Sequence, residues 1–178
     1  DEGLLSVATD RVSVFDVVLE NGIPGKGVML TTLSSFWFDH FGEQFKHHLV
    51  STDVDDVPGL TEIERDLLRG RIMLCRKARV LPVECIVRGY LTGSGLKDYE
   101  QNGMVCGIPL RAGLSNSDPL DEPLFTPSTK ADAGHDENIS YEEACRIVGE
   151  SEMAQVQATA MQIYGEGRRY ALERGVII

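Results

Sequence analysis

Residues 80–95 read Val80-Leu81-Pro82-Val83-Glu84-Cys85-Ile86-Val87-Arg88-Gly89-Tyr90-Leu91-Thr92-Gly93-Ser94-Gly95. The β-branched and aromatic residues from Val83 to Leu91 predict a strand, and the Gly/Ser turn after it predicts a short helix beginning near Ser94. Such a strand delivers Arg88 beside a turn whose glycines let backbone N–H groups approach an anion. A helix N-terminus adds a favourable dipole, and arginine can grip a phosphate bidentately. Spacing alone leaves two readings open: a phosphate site, or a structural turn with an exposed arginine.

Working outward, Ile72–Lys77 predicts another strand, and Thr61-Glu62-Ile63-Glu64 fits a capping box opening a short helix. Upstream, Leu4–Ala8 and Ser13–Leu19 read as strands, followed by the turn Asn21–Gly27. Leu33, Phe36, Trp37, Phe41 and Phe45 recur at helical spacing and predict a helix from Thr32 to His48 whose aromatic stripe is a core face. The same helix would carry His40, His47 and His48 on a solvated face.

Downstream, residues 107–138 hold Pro109, Pro119, Pro123 and Pro127 among Gly, Ser and Asp, which predicts a long irregular segment with a functional role. Ser140-Tyr141-Glu142-Glu143 fits a second capping box. A long helix follows from Ser151 to Arg174, with Met153, Val156, Ala160, Ile163, Tyr164 and Ala171 on its apolar face. Val176–Ile178 reads as the start of a strand, whose open edge would invite pairing with a second copy.

Composition narrows the function classes. The 178 residues carry 17 Lys+Arg against 28 Asp+Glu, a formal net charge of −11, with a pI near 4.8. That argues against general nucleic-acid binding, which is largely electrostatic. The charge is polarised, however. Residues 65–97 hold eight basic side chains and two acidic ones, whereas residues 116–143 hold eight acidic ones and Lys130 alone as a base. The basic run is mixed with apolar strand residues, so part of it should point into a cleft.

No apolar run approaches the roughly 20 residues of a membrane-spanning helix, and Asp1–Leu5 lacks the basic start of a secretory signal. Cys75, Cys85, Cys106 and Cys145 form no CxxC pair, and no histidines show HxxxH spacing. The cysteines read as reduced thiols, pointing to a cytoplasmic compartment and to no metal site of their own.

Two further constellations carry charge at turns. In Thr126-Pro127-Ser128-Thr129-Lys130, followed by Gly134-His135-Asp136-Glu137-Asn138, Lys130 could hold a carboxylate or a transferring phosphoryl group. Asp136 and Glu137 could hold an ammonium group or Mg²⁺, or act as a base. Helix capping and solvated charge explain the same residues. In Asp10-Arg11-x-Ser13-x-Phe15-Asp16, with Lys26 in its Gly-rich turn, a turn ion pair is an equal alternative. Gly25-Lys26-Gly27 is not a P-loop, because GxxxxGK[ST] is absent.

Together the words ATDRVSVFDVVL, IPGKGVMLTTLSSFWF, LPVECIVRGYLTGSG, FTPSTKADAGHDENIS and YALERGVII resemble the SAICAR synthetase family over nearly the whole chain. The resemblance implies an α+β, two-lobed, kinase-like or ATP-grasp-like fold. Its lobes would be an antiparallel β-rich N-terminal one (residues 1–82) and an α/β C-terminal one (residues 83–178), with ATP between them. It implies a ligase of purine biosynthesis that joins L-aspartate to the carboxylate of a phosphoribosyl-aminoimidazole (CAIR), using ATP and Mg²⁺.

By the same resemblance, Arg88 and Ser94 match positions that hold the nucleotide substrate at its 5′-phosphate. Lys130 and Asp136 match positions that handle the carboxylates and the incoming aspartate. Val80 and Leu81 match the segment passing adenine, and Lys26 a phosphate contact. The family's Lys-x-Arg-Asp-like word would precede Asp1. Its D-x-K-x-E-F-G word, the source of metal carboxylates, would follow Ile178. The chain therefore reads as the middle of the enzyme, with turnover expected of the longer protein. A non-catalytic nucleotide-binding or assembly module would share these words. A kinase-type phosphotransferase would need HRD and DFG words, which are absent.

Overall fold

The computed structural model describes residues 3–14, 17–130 and 137–178. The chain divides into two compact units, Asp1–Arg79 and Val80–Ile178, and both mix helices with antiparallel sheet, the α+β class expected.

In the first unit, β1 (Gly3–Val7) and β4 (Leu49–Ser51) flank β5 (Ile72–Arg76), all antiparallel. Ile72 lies fully buried in a cluster with Val54 and Val57. β-branched residues suit this pleated, half-covered surface. Ser13–Leu19, expected as one strand, instead holds the two-residue strands β2 (Ser13–Val14) and β3 (Val17–Val18), paired as a hairpin. Helix α2 (Glu62–Leu68) opens on the predicted capping box. The Thr61 hydroxyl accepts from the Glu64 amide, and the Glu64 carboxylate accepts from the Thr61 amide at 2.8 Å. That backbone donor holds the Glu64 carboxyl below its usual range.

Helix α1 departs from expectation. It spans Lys26–Phe41, so only His40 is helical, and His47 and His48 lie in the approach to β4. It starts early because Asp10 supplies the N-terminal acceptor from outside the helix, where periodicity cannot register it. The aromatic stripe is not a core face either. Phe41 is buried, but Leu33 and Phe36 are 53% and 38% exposed. The buried cluster of this unit draws instead on β5 and the 3₁₀ turn Val54–Asp56.

In the second unit, β6 (Val83–Tyr90) pairs antiparallel with β9 (Pro119–Thr129). Before β9 come α3 (Gly93–Asn102) and the small hairpin β7 (Met104–Val105) and β8 (Ile108–Pro109). After it come α4 (Tyr141–Val148) and α5 (Glu150–Leu172). The core joins Val83 and Phe125 of the sheet to Ala144 and Met153 of the helices. Burying a side chain such as Met153 contributes roughly 1.5–3 kcal/mol. Ser140 caps α4 by accepting from the Glu143 amide at 3.2 Å, as its sequence suggested.

The eleven-residue strand β9 overturns the expectation of irregular structure over 107–138. In an antiparallel strand a residue turns its N–H and C=O to the same side. Pro127 turns its carbonyl away from β6, accepting from the Ile139 amide at 3.0 Å, so the ladder to β6 never needs its missing N–H. Pro119 and Pro123 lie where the register with β6 shifts, between Arg88 and Tyr90. A strand in a two-stranded sheet always has one free edge, and proline is tolerated there. Val176–Ile178, expected to begin a strand, joins none in the structure. Ile178 O instead accepts from the Tyr164 hydroxyl at 3.0 Å.

Candidate functional site

Arg88 projects from β6 into a collar of three elements, and each of its nitrogens is engaged. Nε donates to Thr126 Oγ1 of β9 at 3.1 Å, one terminal nitrogen to Thr92 O at 3.4 Å, and the other to Ser94 Oγ of α3 at 2.8 Å. Thr126 is fully buried and passes its own hydrogen to Ile86 O at 3.2 Å. A guanidinium has five N–H donors, so two remain for another acceptor. No carboxylate among the described residues pairs with Arg88.

Gly95 makes this approach feasible. A Cβ there would stand 3.2 Å from both Cδ and Nε of Arg88. The N-cap of α3, Thr92, makes no side-chain capping bond. The positive end of the helix dipole and the guanidinium therefore face the same region.

The collar continues into side chains that the sequence reading left unassigned. Ser94 Oγ donates to Asn138 Oδ1 at 3.2 Å, and Asn138 Nδ2 donates to Asp98 Oδ2 at 2.8 Å. A signal for Asp98 was available, since it follows Ser94 by four residues and such pairs share a helix face. Cys106 donates from Sγ to Pro127 O at 3.6 Å. Burial, then the nearby Asp98, pushes its thiol up to about 11. It is a buried thiol, and all four cysteines are free.

Lys130 is exposed directly after β9, the strand that carries Thr126. Asp136 lies outside the described residues. Val80 is exposed and Leu81 half-buried in the extended stretch before β6. Lys26 opens α1 in the first unit. There, Asp10 Oδ2 accepts from the Gly25 amide at 3.1 Å and Oδ1 from the Gly27 amide at 2.9 Å. Arg71 donates to Oδ1 at 3.2 Å. The two amides, more than Arg71, hold the Asp10 carboxyl below its ordinary range. The turn ion pair thus forms with Arg71 rather than with the adjacent Arg11. A phosphate contact from Lys26 would have to come from its side chain, because the helix end is already occupied by Asp10. Among the described residues no three His, Cys, Asp or Glu side chains converge to hold a metal, and no helix is long and apolar enough to cross a membrane.

An arginine and a serine thus meet at a helix start that has no side-chain cap, braced by the buried Thr126 hydroxyl, in an α+β protein. The family model described as SAICAR synthetase matches residues 1–178, and the chain belongs to that family. It is 55% identical to the phosphoribosylaminoimidazole-succinocarboxamide synthase of Syntrophotalea carbinolica, over 99% of this chain and 60% of the relative. The Saccharomyces cerevisiae SAICAR synthase solved in complex with SAICAR superimposes with a TM-score of 0.87 at 41% identity, covering 99% of this chain and 60% of that one. A SAICAR synthetase solved in complex with ADP shares the fold, with a TM-score of 0.76 at 23% identity over 100% of this chain and 65% of that one. The chain thus spans about 60% of the length of the curated relatives it matches.

Proposed function

We propose that a protein spanning the full family length and carrying this chain is an ATP-dependent ligase joining L-aspartate to CAIR, with SAICAR, ADP and phosphate as products. The observation that carries this reading is the Arg88–Ser94 collar at the start of α3, in a chain matched throughout by the SAICAR synthetase family. The yeast relative's complex with SAICAR supports the substrate class, and the ADP complex of another family member supports the nucleotide.

A carboxylate is a poor electrophile. Transfer of the γ-phosphoryl group of ATP to a carboxylate oxygen of CAIR releases ADP and gives an acyl phosphate. The neutral amine of aspartate then attacks the acyl carbon, the C–O bond to phosphate breaks, and the amine loses a proton as the amide forms. In this reading Arg88 and Ser94 hold the 5′-phosphate of CAIR. Lys130 meets the reacting carboxylate, and Asp136 orients or deprotonates the amine. Lys26 contacts a phosphate of ATP, and Val80 and Leu81 line the path of adenine. Positioning and charge compensation are the main tasks, because the reactants are all anionic. Water must be excluded, since an acyl phosphate hydrolyses. Mg²⁺ accompanies ATP in the family resemblance, but the described residues present no cluster fitted to hold it.

The test is ADP formation with each substrate omitted in turn. The ligase reading expects sustained, multiple-turnover ADP formation only when CAIR and L-aspartate are both present. ADP released at the same rate without aspartate would refute it, and ligand binding without turnover would favour a non-catalytic module.

A further inference from the structure

Asn138 lies between two side chains of α3, with Nδ2 donating to Asp98 Oδ2 at 2.8 Å and Oδ1 accepting from Ser94 Oγ at 3.2 Å. A carboxylate at neutral pH only accepts hydrogen bonds. Asp98 therefore fixes which end of the amide faces it, and leaves the oxygen for Ser94. Ser94 has one hydroxyl hydrogen. With that hydrogen on Asn138, a lone pair of Oγ faces Arg88, whose terminal nitrogen donates to it at 2.8 Å. The donors run in one unbroken direction: Arg88 to Ser94, Ser94 to Asn138, Asn138 to Asp98.

The far end of this sequence is anchored. Asn138 bridges to Ser128 of β9, and its neighbour Ile139 donates to Pro127 O. Asp98 and Asn138 are half-buried, whereas Ser94 is exposed. The exposed hydroxyl is thus aimed by groups behind it.

We propose that Asp98 and Asn138 are positioning residues for phosphate recognition, fixing Ser94 Oγ and, through it, the guanidinium of Arg88 in the arrangement that receives a phosphate monoester. This rests on the reading of Arg88 and Ser94 as phosphate-binding residues. A phosphate accepts hydrogen bonds, so on binding it meets the Ser94 amide in the first turn of α3, where a helix leaves its amides without intrahelical partners, while the Ser94 hydroxyl stays on Asn138. Arg88 keeps its bonds to Thr126 and Thr92 and offers its two remaining donors.

The test uses a protein spanning the full family length, with steady-state kinetics in CAIR, competition by inorganic phosphate, and thermal unfolding. Asp98→Ala and Asn138→Ala should each raise KM for CAIR about tenfold, the usual size of one lost hydrogen bond in such a network, with kcat within about threefold. Inorganic phosphate should compete less well in the same order. Asp98→Asn keeps an acceptor oxygen for Asn138 and should return KM to within about threefold of the parent. A purely structural role would lower the unfolding temperature without this KM-against-kcat split or rescue. If Asp98→Ala does not fold, Asn138→Ala carries the test. Normal KM in both alanine variants, or Asp98→Asn as damaging as Asp98→Ala, overturns the proposal. If Arg88→Ala raises KM while these variants do not, this proposal alone falls. If Arg88→Ala leaves KM unchanged, the phosphate reading falls first.

Discussion

Two glycine-rich turns open helices in this chain, Gly25-Lys26-Gly27 before α1 and Thr92-Gly93-Ser94-Gly95 before α3, and they are finished in opposite ways. At α1 the amides of Gly25 and Gly27 point at the Asp10 carboxylate, which Arg71 also holds. The protein supplies its own anion, and the turn serves as a joint between β1, β5 and α1. At α3 the cap makes no side-chain bond, and a cation, Arg88, is brought to the positive end of the helix. One turn has its charge balanced by the fold. The other concentrates donors that no carboxylate among the described residues balances. The same local sequence grammar therefore serves architecture in one unit and, under the proposed function, recognition in the other.

The sharpest way to break this contrast is to crowd each turn. A Cβ at Gly27 would meet the Ala8 backbone, standing 2.9 Å from its carbonyl carbon, which cannot step aside. Gly27→Ala should cost about 1–3 kcal/mol of stability, read by denaturant unfolding. It should leave phosphate recognition at α3 intact. A Cβ at Gly95 would meet only the Arg88 side chain, 3.2 Å away, which can give. Gly95→Ala should therefore unfold nearly like the parent but weaken CAIR binding by roughly three- to tenfold, as charge-assisted bonds lose their alignment.

The smallest effect is one of pH. A carboxyl held below its ordinary range in the folded state stabilises the protein above the unfolded-state pKa and loses that contribution as pH falls through the folded-state value. Asp10 is such a group. The unfolding temperature of Asp10→Asn should fall below the parent's at neutral pH, and the gap should close as pH drops below about 4. A gap that persists into acid would show that Asp10 contributes by shape, not charge.

Much of this was legible in the sequence. The capping residues Thr61 and Ser140, the strand carrying Arg88 and the long C-terminal helix all follow from local propensity and spacing. So does the delivery of Arg88 and Ser94 to one turn. What escaped were features closed by distant partners. Asp10 starts α1 from 15 residues upstream of Gly25, so no helical period could mark the true beginning. Pro127 disguised β9 as a loop, because tolerance for proline depends on which edge its missing N–H faces. The apolar residues of α1 announced a core face, but periodicity says only that a face exists and not what covers it. Asp98 belongs to the collar through Asn138, 40 residues away.

The central claim is that the Arg88 collar recognises a phosphate. Its most direct test compares binding of CAIR with binding of the same nucleoside lacking the 5′-phosphate, in a protein of full family length and in its Arg88→Ala variant. The parent should prefer the phosphorylated ligand by about a hundredfold, the scale of hydrogen bonds to a charged group, and Arg88→Ala should erase most of that preference while binding the nucleoside normally. If Arg88→Ala weakens both ligands equally, or neither, the collar is not a phosphate site.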